Sequence, residues 1–166
     1  MAEEGKSPSG TPIPTKGQAG VVPPPCLLVI FGASGDLTKR KLVPALFGLF
    51  REGLLPGEFA VLGISRTPFS DDAFRDHLRD GIAGGSQGTF DQSSWDAFAG
   101  KIFYQPGDIG DPESAKALGA RIRAVSNERG IPGNLVFYAS VAPKFFTPLI
   151  RRIGEAGLAA PTEDMP

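Results

Sequence analysis

The sequence predicts an α/β domain in which helices cover both faces of a parallel sheet. Three observations predict it. Four short apolar runs, "CLLVIF", "FAVLGIS", "KIFYQPGD" and "NLVFYASV", lack the strict alternation of strands with one wet face, as expected of strands buried on both sides. Stretches with apolar residues at helical spacing separate them, so strand and helix alternate along the chain. The first run also passes directly through a glycine turn into a helix.

Residues 1–25, "MAEEGKSPSGTPIPTKGQAGVVPPP", are rich in Pro, Gly, Ser and Thr without apolar periodicity, and they predict a disordered leader that the triple proline ends. The folded domain is then expected to span residues 26–166. "CLLVIF" is its first strand. Residues 37–52 follow as a helix with Leu42, Leu46, Leu49 and Phe50 at helical spacing, stopped by Gly53. "FAVLGIS", 59–65, is the second strand, and Asp71 to Asp80 the second helix, with Phe74, Leu78 and Ile82 marking its apolar face. A glycine-rich interval leads to Trp95 and Phe98, spaced as in a short helix, and residues 101–108 form a third strand closed by Pro-Gly. A helix from Asp111 or Pro112 to about Arg129 points Ala115, Leu118, Ile122 and Val125 inward. The fourth strand, 134–141, and a helix over 143–156 complete the pattern. Four strands are few for this Rossmann-like, doubly wound architecture, which usually carries six, so the domain reads as incomplete.

Composition narrows the function. A chain of 166 residues suits one domain, and 17 basic against 18 acidic residues, a net charge of -1, give no surplus of cations for a nucleic-acid partner. No apolar run is long enough to span a bilayer and no signal peptide precedes the domain, so a soluble, cytoplasmic protein is expected. The single cysteine, Cys26, opens an apolar run and reads as an inert thiol. His77, the one histidine, lies beside its helix's apolar face and reads as a boundary residue rather than a catalytic base. No metal cluster is indicated.

Chemistry is expected at the turn after the first strand. Gly32 and Gly35 let the chain turn sharply and let a pyrophosphate approach backbone N–H groups at the positive end of a helix dipole. The third glycine of a dinucleotide fingerprint is replaced by Thr38, which leaves an ordinary strand-to-helix turn open as an alternative. A P-loop needs glycine directly before its lysine and a hydroxyl after it, whereas Thr38 precedes Lys39 and Arg40 follows. A short-chain dehydrogenase needs Tyr-x-x-x-Lys, but Ala142 follows Tyr138 and Asp108 follows Tyr104 at that spacing. The second strand ends in Ser65, Arg66 and Thr67, where an NAD site usually has a carboxylate for the ribose hydroxyls. Charge-assisted bonds from Arg66 to a 2′-phosphate, at about 1.5–3 kcal/mol each, favour NADP.

Together "VIFGASGDLTKRKLVPALF", "VLGISRTPFSDDAFR", "FYQPGDIGDPESAKAL" and "LVFYASVAPKFF" resemble the glucose-6-phosphate dehydrogenase family, in its order and at similar spacings, over most of residues 27–157. The resemblance implies that Gly32, Ala33, Ser34, Gly35, Asp36 and Leu37 form the coenzyme turn and that Arg66 holds the 2′-phosphate of NADP. It further implies that Lys41 reaches toward the nicotinamide and sugar phosphate, and that Ser140, Val141, Ala142 and Pro143 pass along the coenzyme. Lys144 stands where relatives often carry Arg. Asp36 also reads as a helix cap, Lys41 as a solvated lysine, and Pro143 as a helix start.

The activity so implied is oxidation of D-glucose 6-phosphate to the 6-phosphogluconolactone with reduction of NADP, in the pentose phosphate pathway, by a full-length homo-oligomer. In that family the catalytic histidine, its acidic partner and a Glu-Lys-Pro segment lie beyond the coenzyme-binding region, so this chain reads as truncated before the substrate domain, without a catalytic residue or turnover of its own. Two other classes stay open: a stand-alone nucleotide-binding or regulatory module, and a non-functional fragment with an exposed sheet edge.

Overall fold

The computed structural model describes residues 22–83 and 90–159; most of the expected leader and part of the glycine-rich interval lie outside them. Four parallel strands, β1 (Cys26–Phe31), β2 (Phe59–Ser65), β3 (Ile102–Pro106) and β4 (Leu135–Ala139), form one sheet in the order β3-β2-β1-β4. Cys26 pairs with Phe59, Leu27 with Leu135 and Val61 with Ile102. Helices α1 (Val43–Arg51), α2 (Asp71–Ala83) and α3 (Gln92–Ala99) connect the strands that step in one direction across the sheet. The step from β3 back past β1 to β4 reverses that direction. A right-handed crossover must then use the other face, which is where α4 (Pro112–Arg129) and α5 (Phe146–Glu155) lie.

Two apolar layers result. Leu28, Ile30, Val61, Ile102 and Tyr104 meet Phe47, Phe74, Leu78, Trp95 and Phe98 on one face; Leu27, Val29, Phe31, Leu62 and Ile64 meet Leu118, Ile122, Val125 and Leu149 on the other. Continuous apolar runs thus serve two cores at once, every second residue to each. β4 departs from this. Leu135 and Phe137 join the second layer, but Val136 and Tyr138 are 44% and 37% exposed, so one face of this edge strand is bare among the described residues. The expectation of a sheet covered on both faces fails there because α1 to α3 cluster over β1, β2 and β3.

The strand ends are one to two residues shorter than expected at β3 and β4, while β1 and β2 match the expected limits. The first helix differs more. Residues 38–42 form a π-helical turn, Thr38–Leu42, before the α-helical register of α1 begins. Its inward stripe is Val43, Leu46 and Phe47, with Leu42 and Phe50 at the margins. Leu49, expected inside, is 39% exposed because it lies off the 43, 46, 47, 50 stripe.

Side chains close the free edge of β3. Arg75 donates from Nε and Nη2 to Ile102 O at 3.0 and 2.8 Å, and Asp71 Oδ1 accepts from Tyr104 N at 2.7 Å. Pro106 has no N–H to offer. Asp71 also pairs with Arg121 at 2.6 Å, while the guanidiniums of Arg75, Arg121 and Arg129 lie 5.1–5.9 Å from the Phe103 ring centre. The free edge of β3 is therefore covered by side chains rather than exposed.

Helix α3 is capped by Asp91, whose carboxylate accepts from Ser93 and Ser94. Bonds from the Ser94 and Ser93 side chains and from the Ser94 backbone lower its pKa from 3.8 to about 2. The ionised cap stabilises the fold above the unfolded-state value and is lost as pH falls through the folded one. Asp91→Ala is expected to melt below wild type at neutral pH, the gap narrowing between about pH 4 and about pH 2; a pH series of thermal melts checks this.

Candidate functional site

A cleft of about 880 Å³ opens at the carboxyl ends of the four strands. It sits where strand order reverses, between β1 and β4, the position at which open α/β sheets leave a crevice. All the carboxyl ends fall together because the strands are parallel. A smaller cavity, about 320 Å³, lies between α4 and α5, away from them.

The glycine turn forms the cleft floor. Gly32 takes φ +75°, a conformation that costs an L side chain energy, and its N–H and that of Ala33 both bond to Ile64 O at 2.9 and 3.2 Å. Gly35 N bonds to Gly32 O at 3.0 Å, and the helix then opens with Lys39 N on Gly35 O at 3.1 Å. Its first-turn N–H groups, which have no partner within the helix, are the donors available to an anion. A Cβ on Gly32 would run into the carbonyl of Ser140, and Ser140 N is bonded to Phe31 O at 2.9 Å, so the loop after β4 lies directly against the turn. Thr38, in place of the third glycine, is fully buried and donates from Oγ1 to Ser140 Oγ at 3.3 Å, pinning the helix start to that loop.

Among residues expected from the sequence, Gly32, Ser34, Gly35, Arg66, Ser140 and Val141 line the cleft. Others do not. Ala33 is fully buried beneath the turn, next to Gly63 and Phe74. Leu37 is half-exposed at the helix start, and Lys41 is exposed on the π-helical turn. Asp36 reaches Arg40 Nε at 3.5 Å instead of capping the helix with a hydrogen bond. Ala142 and Pro143, at the start of the short 3₁₀ turn Pro143–Phe145, are outside the lining, which that turn joins through Phe145. His77 is indeed a boundary residue, and its Nε2 lies 3.2 Å from Ser34 O, under the glycine turn. Cys26 is half-buried, and burial pushes its thiol pKa up, as an inert thiol requires.

The opposite wall is built around hydroxyls. Ser34 Oγ accepts from Ser65 Oγ at 2.9 Å and from Thr67 Oγ1 at 3.0 Å, tying the glycine turn to the loop that carries Arg66. Behind them the Tyr104 hydroxyl lies 2.6 Å from Ser65 Oγ, 3.1 Å from Ser65 O and 2.7 Å from Thr67 O. Burial pushes the Tyr104 pKa up, against the bonds to Ser65 that lower it, so the phenol keeps its proton. Arg66 itself is exposed and has no carboxylate partner among the described residues. The loop after β3 adds Gly107, Asp108, Ile109 and Gly110. Asp108 brings negative charge to this wall, and its Oδ1 accepts from Gly110 N at 2.9 Å. Thr38, Tyr104 and the Gly107–Gly110 loop went unassigned from sequence, although the Pro-Gly after the third run was a signal: it ends a parallel strand on the side where the glycine turn lies.

An extended anion with a flat ring system fits this arrangement: helix-start N–H groups beyond the floor, on one wall a guanidinium with no ion pair among the described residues, and apolar Phe31, Ile64 and Val141 between them. Comparison with known proteins gives the same answer. Residues 29–165 match the family model described as glucose-6-phosphate dehydrogenase, NAD binding domain. The glucose-6-phosphate 1-dehydrogenase of Chlamydia muridarum is 38% identical over 131 residues, 78% of this chain and 26% of that protein. That of Leuconostoc mesenteroides is 38% identical over 136 residues, 82% of this chain and 27% of that protein. Among solved structures, one of glucose-6-phosphate dehydrogenase in complex with its substrate glucose-6-phosphate superposes with a TM-score of 0.71 at 28% identity, covering 88% of this chain and 30% of that one. The chain thus spans about a quarter of the length of the curated relatives it matches. By sequence over most of its length, and by a sheet with its cleft at the β1/β4 reversal, the chain belongs to the glucose-6-phosphate dehydrogenase family, as a dinucleotide-binding domain.

Proposed function

We propose that this chain is the NADP-binding unit of a glucose-6-phosphate dehydrogenase. One observation carries the reading: the fold brings the Gly32–Gly35 turn and Arg66, which has no ion pair among the described residues, to the same cleft at the sheet's switch point. The helix start after the turn offers backbone N–H groups to the pyrophosphate, and Gly35, with only Gly32 O among the described residues within 4 Å of a would-be Cβ, leaves room for it. Arg66 supplies the charge for a 2′-phosphate, and no carboxylate at the end of β2 competes for ribose hydroxyls. Phe31, Ile64 and Val141 give the bound ligand apolar contact and exclude water.

When bound, NADP would accept the hydride that leaves C1 of D-glucose 6-phosphate as the lactone forms. Lys41, exposed on the π-helical turn, is the substrate-facing cation in this reading. The base for the C1 hydroxyl is not His77, which lies under the turn against Ser34 O. Arg66→Ala tests the cofactor assignment. NADP affinity is expected to fall about tenfold or more and NAD affinity to change little, read by isothermal titration with each nucleotide. Equal losses for both would remove Arg66 from the 2′-phosphate site.

A further inference from the structure

Nothing in the fingerprint assigns a role to Tyr104, yet its hydroxyl touches the backbone carbonyls of both residues that flank Arg66. It reaches Ser65 O at 3.1 Å and Thr67 O at 2.7 Å, and Ser65 Oγ at 2.6 Å. The residue is 3% exposed, and its ring packs against Phe74 at 4.6 Å and Phe69 at 5.6 Å. Its backbone N–H is held by Asp71 Oδ1 at 2.7 Å, and Asp71 is held in turn by Arg121. The phenol is therefore fixed from three sides before it meets the loop. Arg66 has the opposite character, with an exposed side chain and no ion pair among the described residues, so its aim depends on where its backbone is held.

We infer that Tyr104 is a positioning residue for coenzyme selectivity: it pins the Ser65–Thr67 segment so that Arg66 meets the 2′-phosphate. The inference rests on the reading of Arg66 given above. Pinning stabilises the complex by removing an ordering cost at binding, and it benefits a ligand that uses Arg66 more than one that does not. A structural role alone would weaken all ligands alike.

The test uses the 166-residue chain with 2′,5′-ADP and 5′-AMP, which share the adenosine and differ in the 2′-phosphate. Tyr104→Phe keeps the ring and its packing while deleting the hydroxyl. Loss of these hydrogen bonds is expected to weaken 2′,5′-ADP about fivefold and 5′-AMP less than twofold. Arg66→Ala should erase the preference, and the double variant should match Arg66→Ala alone, because the hydroxyl acts through the arginine. Retained 5′-AMP binding shows that Tyr104→Phe is folded; if that variant does not fold, Tyr104→His, which keeps a ring and a polar edge, replaces it. If Arg66→Ala erases the preference but Tyr104→Phe weakens both probes equally, or neither, the positioning role is overturned and the Arg66 reading stands. If Arg66→Ala leaves the preference intact, the Arg66 reading falls and the positioning role falls with it.

Discussion

Gly32→Ala is expected to destabilise the chain by on the order of 3 kcal/mol or more, a large share of the roughly 5–15 kcal/mol typical of a domain. Two independent costs add. At φ +75° a side chain is strained wherever it sits, and here its Cβ would also press on the Ser140 carbonyl, a backbone atom that cannot swing aside. Gly53→Ala separates them. Gly53 has φ +68° but nothing among the described residues within 4 Å of the would-be Cβ, so it carries the conformational cost alone, about 1 kcal/mol. Urea denaturation of the two variants should show the larger shift at Gly32. Equal shifts would mean that the loop after β4 does not lie against the turn. The variant should also lose nucleotide binding, since relief of the clash moves Ser140 or the turn itself, and both line the cleft.

Phe74→Ala is expected to cost about 3–5 kcal/mol. The ring is fully buried between α2 and the sheet, with centres 4.6 Å from Tyr104 and 6.2 Å from Phe69. It also fills the space that glycine leaves in β2: a Cβ on Gly63 would lie 2.7 Å from the ring and 2.8 Å from Ala33 Cβ. Removing the ring opens a cavity directly under the glycine turn. The midpoint of urea unfolding should fall with little change in slope, whereas Ile150→Ala, at a position 69% exposed, should stay within about 0.5 kcal/mol of wild type. Comparable losses at the two positions would contradict the packing described here.

Much of the fold was legible because buried parallel strands and amphipathic helices leave distinct patterns. "CLLVIF" and "FAVLGIS" coincide with β1 and β2, and the inward residues expected of α4, Ala115, Leu118, Ile122 and Val125, are all buried. Boundaries at β3 and β4 were less legible, since a strand's end depends on whether a neighbour is there to pair with it. The exposure of Leu49 is not legible in the sequence, because apolar spacing does not tell which side of a helix meets the sheet. At β4, "LVFYA" is as apolar as β1, yet Val136 and Tyr138 have no layer over them among the described residues. Composition reports what a segment tolerates, and burial depends on what lies above it.

The site divides along the same line. Sequence alone determined the glycine turn, the absence of a P-loop and the cationic end of β2, because each is a local matter of residue type and spacing. Which residues share the cleft was decided by tertiary structure. Thr38 meets Ser140 across 102 positions of sequence, and Tyr104 meets Thr67 across 37. Those contacts exist because right-handed crossovers carry the chain from β3 to the far side of β1 and leave every strand pointing the same way. A linear pattern can specify a turn; only the winding of the sheet sets one turn against another.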